Sequence, residues 1–162
     1  MPESVYIETT IPSAYFELRR ESYNVAVRAL TRRWWKRYAP SYRCVSSEVV
    51  VHELSSTDYP DSARAKALEL IQSLDGLTLD DPSLEAAETY LQERLMPADS
   101  IGDALHLALA SRHGFTYLLT WNCRHLANPR KRRHIEVVNG RLGLGVPMLL
   151  TPTNLMRNSD GD

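Results

Sequence analysis

The order of the short apolar runs constrains this chain more than any other feature. Val5-Tyr6-Ile7, Tyr42–Val45, Leu77-Thr78-Leu79, Phe115–Trp121 and Val146–Leu150 each have the β-branched or aromatic character of a strand. Helical spacing fills the intervals between them. Ile11-Pro12-Ser13 opens one helix, and Ser22 is placed to cap a second over about 23–38. Ser46 or Ser47 is placed to cap a third from Glu48 to Leu54. Asp58 to Asp61 reads as a turn before a helix at about 61–74, which Gly76 stops. Pro82–Leu95 and Asp99–His113 follow, the latter stopped by Gly114, and a further helix is expected near 130–140. Parallel strands need crossovers long enough to hold a helix, so this alternation predicts an α/β domain with a mainly parallel sheet.

At 162 residues the chain is one domain, expected over 1–156, with a frayed tail at 157–162. No apolar run is long enough to span a bilayer, and Met1-Pro2-Glu3-Ser4 does not open a secretory leader. Cys44 and Cys123 form neither a disulfide framework nor a zinc ribbon, which fits a reduced cytoplasm. The net charge of −1 hides a segregation: +4 over residues 1–43, −10 over 44–103 and +5 over 104–162. Of the 19 basic residues 16 are Arg, the side chain that grips phosphate in a bidentate fork; a GC-rich genome would give the same bias.

Ligands of open α/β sheets bind beyond the carboxyl ends of the strands. Glu8 ends the first expected strand, and Asn122 lies just past the fourth. Asp99 and Asp103 are spaced i, i+4 on one helix, and Glu53 lies on the helix after the second strand. This oxygen set suits a hard divalent cation, Mg²⁺ or Mn²⁺. Two carboxylates ~4 Å apart repel by about 4 kcal/mol at an effective dielectric of ~20, so such a cluster needs metal, protons or arginine. Each residue also has an ordinary use: Asp99 and Glu8 as helix caps, Glu53 as a surface residue, Asn122 as a turn former.

Tyr6-Ile7-Glu8-Thr9-Thr10, Glu48–Leu54, Asp103-Ala104-Leu105-His106-Leu107-Ala108 and Leu118–Leu126 together resemble the PIN-domain family, in particular the VapC-type ribonuclease toxins. The resemblance implies a Rossmann-like fold of about five mainly parallel strands flanked by helices. It implies a metal-dependent endoribonuclease, a cognate antitoxin and a homodimer; the charge segregation would suit a dimer in which basic surfaces flank two acidic pockets. Glu8 stands where the family has an Asp, Glu53 and Asp103 match its acids, and Asn122 stands where many members have a fourth Asp. The implied catalytic set is Glu8, Glu53 and Asp103 holding one cation, with Asp99 or Asn122 available to a second. That cation would activate water for in-line attack on phosphorus.

Thr10 or Ser13 would orient water or phosphate. Arg124, Arg130, Lys131 and Arg132 would track the RNA, since residues 104–135 carry six basic side chains and no acid. A solvated helix face would read the same way. His106 is expected to pack or to orient a neighbour, and His125 is a candidate phosphate contact. Of the neighbouring Trp34 and Trp35, one should face the core and the other be more exposed, which suits either a partner or antitoxin groove on that helix or ordinary packing. The departures at Glu8 and Asn122 define the alternative, a degenerate PIN-like module that binds nucleic acid or protein. An unrelated small hydrolase has no Gly-x-Ser-x-Gly elbow or Gly-rich phosphate loop to support it.

Overall fold

The computed structural model describes residues 1–56 and 61–161. Within them β1 (Ser4–Ile7), β2 (Arg43–Ser47), β3 (Asp75–Leu77), β4 (Tyr117–Leu119) and β5 (Met148–Leu150) form one sheet in the order 3-2-1-4-5. Every pairing is parallel. The helices are α1 (Thr10–Tyr15), α2 (Ser22–Arg37), α3 (Glu48–Ser55), α4 (Asp61–Gln72), α5 (Asp81–Gln92), α6 (Ile101–Arg112), α7 (Arg132–Leu142) and α8 (Pro152–Asp160).

The strand pleat sorts the core into two layers. Tyr6, Val45 and Leu118 pack with Tyr90 of α5, Leu107 of α6 and Ile135 of α7. Their neighbours Val5, Ile7, Tyr117 and Leu119 point the other way, to Ile11 of α1, Trp34 of α2, Ile71 of α4 and Leu155 of α8. Helix α3 serves both layers, with Val49 in the first and Val50 and Leu54 in the second. Trp34 is buried and Trp35 half-buried, so the tandem tryptophans divide as the helical period requires.

The α/β alternation is realised, with shifted edges. Strand β3 begins at Asp75, two residues before the expected run, and β4 is confined to Tyr117–Leu119. Ser47 caps α3 through the Val50 N–H at 3.5 Å. Ser22 lies inside α2, and its expected cap position falls to Glu21, which makes no side-chain cap bond. The expected turn at Asp58–Asp61 lies outside the described residues as far as Asp61, where α4 starts. The segment expected to fray from Arg157 is helical through Asp160. It is tied down by Tyr42–Ser159 at 2.6 Å and Tyr38–Asp160 at 3.0 Å, contacts more than a hundred residues apart in sequence that no local pattern encodes. No described helix is long and apolar enough to cross a membrane.

From β1 the chain builds outward through β2 and β3, then returns to lay β4 against the other edge of β1. The carboxyl ends of β1 and β4 therefore flank the topological switch point, where such sheets open a crevice.

Candidate active site

Glu8 directly follows β1 and Thr120 directly follows β4. The Glu8 N–H continues the ladder onto the Leu119 carbonyl at 3.2 Å, which fixes the side chain at the crevice floor. There its carboxylate accepts the Thr10 N–H at 2.9 Å and the Thr120 hydroxyl at 3.0 Å. Burial raises the Glu8 carboxyl above its ordinary range, against those hydrogen bonds and the His106 charge. Thr10 is also occupied structurally: its hydroxyl accepts the Trp121 N–H at 2.8 Å and bonds Thr120 at 3.3 Å. Trp121 in turn donates from its indole to Thr31 at 2.9 Å, tying the crevice wall to α2. Ser13, half-buried on α1, makes no side-chain hydrogen bond among the described residues.

Glu53 occupies the last turn of α3 and Asp103 the first turn of α6. His106 joins them. One turn after Asp103 and 1% exposed, it donates from Nε2 to Glu53 Oε1 at 2.5 Å and shares a 2.7 Å bond between Nδ1 and the Tyr6 hydroxyl. Tyr6 continues to Ser47 Oγ at 2.7 Å, and Thr9 gives Glu53 a second donor at 2.7 Å. Burial alone would depress the His106 imidazole; the Glu53 hydrogen bond and the Glu8, Glu53 and Asp103 charges raise it above its ordinary value. Burial would push Glu53 up, but His106 and Thr9 hold it below the usual carboxylate range. Both directions favour a charged pair. A doubly protonated ring then donates to Glu53 and to Tyr6, whose phenol burial keeps neutral.

Asp103 is half-buried, and burial raises its carboxyl despite the nearby His106 and His125 charges and the Asn122 bond. Asn122 meets it nitrogen first: Nδ2 donates to Asp103 at 3.2 Å, while Oδ1 accepts the His125 N–H at 3.0 Å. The backbone donor fixes which end is oxygen. The amide oxygen expected to face a cation is therefore turned into its own loop. Asp99, expected beside Asp103 on one helix face, lies exposed in the turn before α6, which starts at Ile101.

Among the described residues no three His, Cys, Asp or Glu side chains converge as a ready-made metal cage. Two oxygens still fit a hard cation. Glu53 Oε2 and Asp103 Oδ2 carry no hydrogen bond among the described residues, and these groups lie close enough for the Glu53 charge to raise Asp103. Two carboxylates completed by waters and substrate phosphate is the usual Mg²⁺ arrangement. Gly102 makes room for the Glu53 carboxylate against α6, since a β-carbon there would sit 2.6 Å from Oε2. Neither cysteine is an activated nucleophile: burial pushes the Cys44 thiol up to about 12 and raises Cys123.

The expected basic track divides. Arg130 is exposed, and Arg124 and Lys131 line a cleft with His125. Arg132, partly exposed, is bonded within the chain, to Glu136 at 2.9 Å and the Pro147 carbonyl at 2.9 Å. Tyr6, Thr9, Thr120 and Gly102 support the site with no role expected of them from the sequence, and His106, expected to pack or to orient a neighbour, lies between them. The available signal was a histidine alone among Ala104, Leu105, Leu107 and Ala108, three residues after an expected ligand.

A parallel α/β domain with carboxylates gathered at its switch point defines the class. Within it, the chain belongs to the PIN-domain family, whose model matches residues 5–128. A toxin–antitoxin complex from Klebsiella pneumoniae superposes with a TM-score of 0.61 at 16% identity, covering 92% of this chain and 98% of that one. VapC20 of Mycobacterium tuberculosis, described as a sarcin–ricin-loop-cleaving toxin, gives 0.60 at 16% identity over 75% and 92%. VapBC2 of Rickettsia felis, solved on a DNA fragment from its promoter, gives 0.53 at 15% over 91% and 97%. No curated protein matches the sequence. At such identities the neighbours establish the fold, and the family model establishes membership of the PIN-domain family.

Proposed function

We propose that the chain is a metal-dependent endoribonuclease, the cytoplasmic toxin of a toxin–antitoxin pair, and that Glu53 and Asp103 hold its Mg²⁺ or Mn²⁺. The observation that carries this is the pair of unbonded carboxylate oxygens beside the switch point, fixed from behind by His106 and Asn122. When bound, the cation would supply charge stabilisation for the phosphodiester and acidify water. The chain's own residues do the positioning. His106 and Thr9 lock the Glu53 rotamer, Asn122 locks Asp103, and Glu8 anchors the β1 and β4 loops to each other through Thr10 and Thr120. Arg124, Arg130 and Lys131 attract the RNA backbone. Support for an antitoxin comes from the structural neighbours, two of them described with their antitoxins. Support for a homodimer comes from Leu84 and Ile101, 43% and 59% exposed along the groove between α5 and α6.

The second reading, a binding module without catalysis, draws on Glu8, whose two carboxylate oxygens are both bonded within the chain, and on the Asn122 nitrogen facing Asp103. Cleavage of a labelled single-stranded RNA panel with Mn²⁺, Mg²⁺ or EDTA separates the two. Asp103→Asn should lower metal-dependent cleavage by at least ~10²-fold with the fold intact. RNA binding without cleavage by the wild type would favour the module, and unchanged cleavage by the variant would remove Asp103 from the mechanism.

A further inference from the structure

Helices α6, α7 and α8 are each followed by a glycine in the left-handed region: Gly114 at φ 68°, Gly143 at 72° and Gly161 at 82°. Helix α5 ends in the same way with an arginine. Arg94 has φ 58°, the one non-glycine residue at positive φ among those described. Its N–H bonds the Leu91 carbonyl at 3.1 Å, and the Leu95 N–H bonds Tyr90 at 2.9 Å, a helix-ending turn whose left-handed position glycine fills without strain. A strained side chain in such a place calls for a use outside the backbone.

The Arg94 side chain lines a cleft of about 530 Å³ at the end of α5, within the usual size range of a small-ligand site. Arg124, His125 and Lys131 line it too, with Met96 and Pro97 among its apolar side. No carboxylate lines it, although Arg94 belongs to the acidic part of the chain, net −10 over residues 44–103. The guanidinium groups of Arg94 and Arg124 make no hydrogen bond among the described residues, whereas Arg132 and Arg141 are paired with Glu136 and Glu93. The cleft adjoins the acids: His125 donates its N–H to Asn122, which in turn donates to Asp103.

We infer that this cleft is a subsite for one nucleotide of a single-stranded RNA, next to the bond that is cut. Arg94 and Arg124 take a phosphate in bidentate hydrogen bonds, and the base lies against Met96, Pro97 and the His125 ring. Planar guanidinium forks match phosphate, and unpaired bases are held by stacking on flat or apolar side chains. The inference rests on the ribonuclease reading for the identity of its ligand, but the binding it predicts is measurable without turnover.

The test uses the full chain in EDTA with a fluorescent single-stranded RNA 12-mer. Arg94→Gly should weaken binding by roughly tenfold or more while Tm stays the same or rises by up to ~2–4 °C, because glycine relieves the turn. Binding equal to wild type in the folded variant overturns the subsite. Amide shifts in an NMR titration identify what is bound: adenosine 5′-monophosphate should move Arg94, Met96 and His125 further than inorganic phosphate does. Equal shifts from phosphate alone reduce the cleft to an anion site and overturn the nucleotide assignment. A wild type that binds through Arg94 yet cuts no RNA with Mn²⁺ would sink the nuclease reading and leave the subsite standing.

Discussion

Beneath the carboxylates, the Tyr6 hydroxyl, both His106 nitrogens and Glu53 Oε1 each have a partner inside the chain. In the cleft beside them, the guanidinium groups of Arg94 and Arg124 have none among the described residues, and Arg94 sits on strained backbone. The contrast separates two uses of polar chemistry. A buried network is stable when every member is satisfied, and it then specifies one geometry. An exposed group with unused donors adds little to the fold and is available to something outside it. The site needs both: a fixed floor that aims Glu53 and Asp103, and an adjacent surface whose hydrogen bonds a ligand completes.

The strongest way to break the comparison is to remove the hub of the floor. His106→Ala leaves the Glu53 charge half-buried and the Tyr6 hydroxyl without its imidazole. Glu53 is 35% exposed and keeps its Thr9 donor, so the cost is that of deleting a buried side chain and its hydrogen bonds, about 2–4 kcal/mol, and urea unfolding should show a destabilisation of that order. A loss below about 1 kcal/mol would mean that the floor is not a cooperative unit. An effect next in size should come from Gly102→Ala. Its β-carbon would lie 2.6 Å from Glu53 Oε2, so the carboxylate must rotate or α6 must move. The expected cost is about 1–3 kcal/mol, with metal-dependent cleavage falling further than stability does. Wild-type cleavage in that variant would show that Glu53 Oε2 is not presented to the cation.

The order of elements was legible because strand and helix patterns are local, and because Glu53 and Asp103 sit on segments with distinctive neighbours. What failed to read was orientation. Asp99 has the right spacing to Asp103 for a shared face, yet α6 starts at Ile101 and leaves it in the preceding turn. Asn122 is an oxygen donor by composition, but the His125 N–H claims that oxygen. The role of Arg94 depends on φ, which no side-chain pattern reports. The sequence leaves His106 either to pack or to orient a neighbour, and the structure has it both buried and bonded to Glu53 and Tyr6. Its position at the centre of the network follows from packing between α3, β1 and α6, elements far apart in sequence.

The smallest effect separates neighbours within one basic run. Arg130-Lys131-Arg132-Arg133 looks uniform in sequence, but Glu136 lies four residues after Arg132 and three after Arg133, both spacings at which helix side chains meet. The structure pairs Glu136 with both, and Arg132 also reaches the Pro147 carbonyl just before β5. Arg130 is exposed and carries no side-chain bond among the described residues. If only unspent donors contact RNA, Arg130→Ala should lower the salt slope of single-strand binding by about 0.7, the contribution of one phosphate contact. Arg132→Ala should leave that slope unchanged and cost about 1 kcal/mol of stability, from lost hydrogen bonds to Glu136 and Pro147. Both are read from the same pair of titrations, RNA affinity against salt and unfolding against urea. Equal slope changes for the two variants would mean that the Arg132 ion pair opens for RNA. The boundary between floor and binding surface would then have to be drawn one turn further into α7.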